Sequence, residues 1–224
     1  MAAASSGPMD EGDWANIVDH LESYDAQREG VVKQARELQK KAKQAVHLMQ
    51  RGVREGDAGT GGGGEHDVQA AVLLSEAEAI ATGMLPALKQ HPGMRGAVAF
   101  AMEELAQAVL FRTFLQQGRL APSRELPLCE PEEYLSGVLD FTAELGRYTI
   151  QRATARDTAA VRRCRDLVDA LQGQFLQFDL RNSGLRRKYD GLKYRLKELE
   201  NTMYELSLTQ AMPVATAEGG GMAS

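Results

Sequence analysis

Apolar residues in this chain recur at alternating spacings of four and three, and almost nowhere at two. The run Leu185, Tyr189, Leu192, Leu196, Leu199, Met203, Leu206 keeps that alternation over three heptads. Val31, Ala35, Leu38, Ala42, Ala45 and Met49 repeat it near the other end. Such spacing puts one apolar stripe on a helix and cannot line one face of a strand. β-branched residues are sparse and never alternate over a useful length. The expected fold class is therefore all-α, a helical bundle of about six to seven helices.

Punctuation divides the stripes. A first helix is expected from about Asp13 to Val53 and a second from about His66 to Gln90, ended by His91-Pro92-Gly93. A third runs from about Met94 to Gln117, where Gly118 stops it. Pro131 suits the first position of a fourth helix, with Glu132 and Glu133 in its acidic first turn, and that helix reaches about Ala155. A fifth covers about Thr158 to Leu180, and Asn182 or Ser183 caps a sixth. Residues 13–210 read as one all-α domain. A flexible glycine-rich loop falls at about 55–65, and residues 1–12 and 211–224 read as disordered ends. The run Gly59–Gly64 follows no strand and lacks the Gly-Lys-Ser/Thr ending of a phosphate loop.

Composition narrows the function classes. The net charge of −5 gives no whole-molecule attraction to nucleic acid, so any such contact must come from a local basic patch. Two cysteines, Cys129 and Cys164, are too few for a disulfide framework and fit a reducing compartment. Arginines 162, 163 and 165 around Cys164 could lower its pKa, against the plainer reading of an incidental thiol. No signal peptide and no membrane span are expected. His20, His47, His66 and His91 show no metal-binding spacing and read as surface residues.

Three acids fall where the helical stripes place core. Glu104 interrupts the row Ala97, Ala101, Ala108, Phe111, Leu115, while Asp140 and Glu144 border Tyr134, Val138, Phe141, Leu145. A buried carboxylate without a partner is costly. Asp140 and Glu144, four apart, point the same way and repel. A hard cation such as Mg²⁺ or Mn²⁺ would turn that repulsion into binding, with Glu104 as a third ligand from another helix. Salt bridges to Arg147, Arg112 or Arg152 account for the same acids more simply, since paired charges are the commoner reason for semi-buried carboxylates. The C-terminal half carries Arg147, Arg152, Arg156, Arg162, Arg163, Arg165, Arg181, Arg186, Arg187 and Lys188, a clustering that phosphate binding needs. Phe175, Phe178, Tyr189 and Tyr194 are candidates for base stacking. The seam Leu185, Tyr189, Leu192, Leu196, Leu199, Met203, Leu206 suits either a bundle helix or a subunit interface.

Two segments resemble one family. Glu133–Arg147 looks like the translin and TRAX (translin-associated factor X) pattern of Asp/Glu-Tyr-Leu, Gly-Val and Glu-Leu-x-Arg, and Leu185–Leu208 is similar to the C-terminal helix of translin. Val31-Val32-Lys33 and Leu48-Met49-Gln50-Arg51 are more like TRAX. The resemblance implies an all-α fold of about seven helices and a closed homo- or hetero-oligomer of translin/TRAX chains that binds single-stranded RNA and DNA, in the cytoplasm and also the nucleus. For TRAX-type chains it implies a Mg²⁺-dependent endoribonuclease whose acids fall here on Glu104, Asp140 and Glu144. A fourth acid of that pattern falls on Gln107, a neutral amide. Arg147 fits the Glu-Leu-x-Arg motif and is the leading phosphate contact, with Arg112, Arg186, Arg187 and Lys188 as further ones. The aromatic, basic segment that precedes translin's third helix is not matched at His91–Gly96. The readings left open are a nuclease, a non-catalytic binding subunit needing a catalytic partner, and a helical scaffold.

Overall fold

The structure is a computed structural model and describes residues 9–56, 64–181 and 183–211. The end segments expected to be disordered fall mostly outside those residues, as do most of the glycine-rich loop and Asn182. The described residues form six α-helices, α1 (Glu11–Glu55), α2 (Glu65–Gln90), α3 (Arg95–Gln117), α4 (Pro131–Thr154), α5 (Thr158–Phe175) and α6 (Gly184–Ala211), and no strand. The chain divides into two compact units, Met1–Val138 and Leu139–Ser224, with the division falling inside α4.

In the first unit α1 packs on α2 and α3. Asp10 caps α1, its carboxylate accepting from the N–H groups of Gly12 (2.9 Å) and Asp13 (3.0 Å). That cap starts the helix two residues before Asp13. The stripe foreseen from spacing is the buried one: Val31, Ala35, Leu38, Ala42, Ala45 and Met49 all face inward. Ala70, Ala77 and Ala81 of α2 are buried too, and small residues let helices approach closely. By length and composition alone α2 is apolar enough to cross a membrane, contrary to the reading that no segment is. Its Ala70, Leu74, Ala77, Ala81, Met84 and Leu88 form a buried face instead.

Gly118 ends α3 in the left-handed conformation (φ 67°), its N–H bonding the Phe114 carbonyl at 2.8 Å. Gly137 has a different reason to be glycine. A Cβ there would lie 2.5 Å from Ala106 Cβ, 3.0 Å from the Gln107 nitrogen and 3.1 Å from the Glu103 oxygen. The first turns of α4 therefore touch the α3 backbone at the segment carrying Glu104 and Gln107.

In the second unit α5 packs on α6. Ser183 caps α6, its hydroxyl accepting from the Arg186 N–H at 3.2 Å. α5 ends at Phe175, five residues before the expected Leu180. Phe175 turns inward and stacks on Tyr189 at 5.7 Å, so side-chain packing ends the helix where periodicity did not. The α6 seam splits. Leu185, Leu192, Leu199 and Leu206, seven apart, are buried within the single chain, whereas Tyr189, Leu196 and Met203 are half-buried. The four leucines thus serve the chain's own packing, and an interface along α6 would have to use the other side of the seam.

Both thiols have environments that disfavour the thiolate. Burial pushes Cys164 up to about 11, in keeping with the plainer reading of a buried, incidental thiol and not with lowering by its arginine neighbours. Arg162 and Arg163 point outward, so desolvation wins. Burial, then the Glu133 carboxylate, pushes Cys129 up to about 12. At pH 8 both should react with a disulfide reagent at a small fraction of a free thiol's rate, and two equivalents should appear promptly only in denaturant. Rapid labelling of the native protein would contradict this account.

Candidate functional site

α4 presents Asp140 and Glu144 one helical turn apart. Glu144 is 3% exposed, and Asp140 keeps about a third of its side-chain surface in water. Each has a cationic partner. Lys188 Nζ of α6 donates to Asp140 Oδ2 at 2.5 Å, and Arg147 Nη2 lies 3.3 Å from Glu144 Oε1. Lys188 and Asp140 are 48 positions apart, a pairing that helical spacing does not reveal.

Glu104 belongs to the first unit, where its mostly buried carboxylate lies 3.2 Å from Lys43 Nζ of α1. Gln107 is buried one turn further along α3. Among the described residues no group of three or more His, Cys, Asp or Glu side chains is disposed to hold a metal ion. What the structure brings together is the α4 pair. Two carboxylates on one helix face suit Mg²⁺, which binds through one or two carboxylates and fills its octahedron with water and phosphate oxygens.

The other anticipated contacts separate into two groups. Arg112 makes a two-pronged pair with Asp67 (2.9 and 3.1 Å), and Gln116 also bonds that carboxylate, so its guanidinium is engaged in holding α3 to α2. Arg152 lies over the Tyr148 ring at 5.2 Å. Arg147, Arg186 and Arg187 are exposed and Lys188 is half-buried; Arg186 also pairs with Asp190 (3.0 Å), as Arg147 does with Glu144 and Lys188 with Asp140. Where α5 gives way to α6 the rings form a cluster, with one stacked and one tilted contact. Phe178 meets Phe175 at 5.8 Å, Phe175 lies on Tyr189 at 5.7 Å, and the Arg186 guanidinium covers Tyr189 at 5.8 Å. The outer ring, Phe178, is 48% exposed, and Arg181 and Arg187 are exposed close by in sequence.

Sequence reasoning placed Glu133 in the first turn of α4 but missed its burial and its Arg95 partner. Glu133 is 3% exposed. It accepts from Arg95 Nε (2.8 Å) and from the Glu130 N–H (2.8 Å), with a second Arg95 nitrogen against its other oxygen. The signal was present: a Glu at the third position of a helix that opens on Pro131 is a capping-box residue.

An all-α chain whose fourth helix carries a paired acid face, and whose last two helices carry an aromatic and basic cluster, narrows the class considerably. The chain belongs to the Translin family, whose sequence model matches residues 26–210. It is 39% identical over 90 residues to translin of Gallus gallus, and 37% identical over 90 residues to that of Homo sapiens. Each alignment covers 40% of this chain, and 39% and 40% of those proteins, so the chain spans about two-fifths of the length of the curated relatives it matches. Among solved structures it is similar to apo-NeC3PO (TM-score 0.75, 18% identity, 89% of this chain and 100% of that one). It is also similar to AfC3PO in complex with duplex RNA (TM-score 0.73, 18% identity, 90% and 100%). At that identity the likeness is one of fold.

Proposed function

We propose that this chain is a nucleic-acid-binding subunit of translin type that takes single-stranded RNA or DNA, in a homo-oligomer or with a translin/TRAX paralogue, in the cytoplasm and the nucleus. The observation that supports it best is the exposed ring of Phe178, set against the stacked Phe175–Tyr189 pair, with Arg181 and Arg187 exposed close by in sequence. Phe178, the one exposed ring of the three, offers its π-face to any base, and guanidiniums close by in sequence neutralise the backbone between bases. Family membership and the neighbour solved with duplex RNA support the same class of ligand.

The acid face of α4 supports a further step, endoribonuclease cleavage of single-stranded RNA with Mg²⁺ or Mn²⁺ held at Asp140 and Glu144. Such an ion supplies charge stabilisation to a phosphodiester and an activated water. The chain's own residues hold the acids ready: Lys188 offsets the repulsion between the two carboxylates, and Arg147 lies beside Glu144. Both cations also carry positive charge that a phosphate needs. The reading of a binding subunit without catalysis is favoured by the neutral Gln107 and by the absence of a three-ligand cluster among the described residues.

Labelled single-stranded RNA with Mg²⁺ decides between them. Wild type is expected to bind and to cleave, with Asp140→Asn and Glu144→Gln binding normally and cleaving at least about 100-fold more slowly, equivalent to about 2.7 kcal/mol of barrier. Binding without cleavage above those variants leaves the non-catalytic subunit. No binding of single-stranded RNA or DNA removes both.

A further inference from the structure

The first unit has a basic cavity along α1, which shares with the functional-site residues above only Lys43, the partner of Glu104. Arg36, Lys40, Lys43 and His47 of α1 follow one another at spacings of four, three and four, so they share one face over about 16 Å of helix. They line an open cavity of about 730 Å³, within the range of ligand sites. Gln39 and Gln44 line it with amides, and Leu48 with Leu73 of α2 add an apolar wall. Arg36 and Lys40 are exposed and make no ion pair among the described residues. The acids nearest in sequence are engaged elsewhere, since Glu37 pairs with Lys41, as does Glu76.

An aromatic ring stands beside this row. Phe100 of α3 is 55% exposed, and Lys43 Nζ sits 5.6 Å from its centroid. The same ammonium is 3.2 Å from Glu104, which orients Lys43 while leaving over half its side chain in water. Cations in a row, an exposed ring and amides able to pair with base edges are the parts a single-strand site needs.

We propose that this cavity is a second single-strand site, with phosphates along Arg36, Lys40 and Lys43 and a base against Phe100. It rests on the nucleic-acid reading above and places a contact in the first unit, whereas the ring cluster lies in the second. Glu104 then acts here as a positioning residue for Lys43.

Affinity for single-stranded RNA and DNA oligonucleotides, measured across a salt series, tests it. For Arg36→Glu/Lys40→Glu the dissociation constant should rise at least about tenfold for both. The slope of log affinity against log salt should fall by about 1.4, two contacts' worth on a single strand. Bromouridine photocrosslinks in the wild type should map to the segment around Phe100, and Phe100→Ala should lose them. Arg28→Glu, an exposed reversal elsewhere on α1, sets the effect of charge alone. If the double variant loses no more than twice the Arg28→Glu change while Arg186→Glu/Arg187→Glu binds weakly, the cavity is no site and the ring-cluster reading stands. If an acidic peptide competes as well as the oligonucleotides, the cavity is a peptide site and the proposal fails. If neither nucleic acid binds wild type, both readings fall.

Discussion

Replacing Glu133 with Ala should lower the unfolding free energy by about 3–5 kcal/mol, because it leaves a partly buried charge without its partner. Glu133 is almost sealed from water and accepts bonds from both Arg95 and the Glu130 N–H. Arg95 also donates to the Leu128 carbonyl at 2.9 Å, so one guanidinium ties the start of α3 to the loop before α4. Removing the carboxylate orphans Arg95 and exposes the first turn of α4 at once. Urea unfolding followed by helical ellipticity reads the loss. The comparison is Glu125→Ala, which breaks the exposed Arg119–Glu125 pair (2.9 and 3.2 Å) and should cost no more than about 1 kcal/mol. Equal losses for the two variants would mean that the Glu133 network contributes no more than a surface ion pair.

Gly137→Ala should cost about 1–3 kcal/mol, the ordinary range for overpacking, and lower the melting midpoint by several degrees. Its Cβ would overlap Ala106 Cβ and press on backbone atoms of Glu103 and Gln107, which no rotamer change can relieve. Gly146→Ala, two turns further along α4, meets nothing within 4 Å. There the same substitution should stabilise by about 0.5–1 kcal/mol, since alanine is the better helix former. Opposite signs for two glycines on one helix are the test. A neutral Gly137→Ala would mean that α3 and α4 can separate at this point without loss.

The elements that announced themselves did so through local chemistry. Gly118 stops α3 because a left-handed turn is cheap only for glycine, and Pro131 opens α4 because its missing N–H is not needed there. The heptads of α1 and α6 marked their buried faces. The early end of α5 was not legible, because it depends on Phe175 meeting Tyr189 across an intervening turn. The candidate acids were legible as misplaced charges and as a family pattern. Their partners were not, since Lys43, 61 positions before Glu104, and Lys188 become neighbours only through helix packing. Spacing nominated Arg147 for Glu144 correctly because the two are neighbours on one helix, and it offered Arg112 to the same acids without sight of Asp67 on α2.

By itself the sequence determined an all-α chain, most of the helix starts and stops but not the end of α5, the acid pair on one face of α4 and membership of a family. These depend on periodicity, capping and residue order, interactions that act within one or two turns. Tertiary structure alone decided which charges neutralise which acids, why Gly137 must lack a side chain, and that Arg36, Lys40 and Lys43 share a cavity flanked by Phe100. Those outcomes depend on how separate helices pack, and the energies of ion pairs and overlaps change over a few ångströms that no spacing rule resolves.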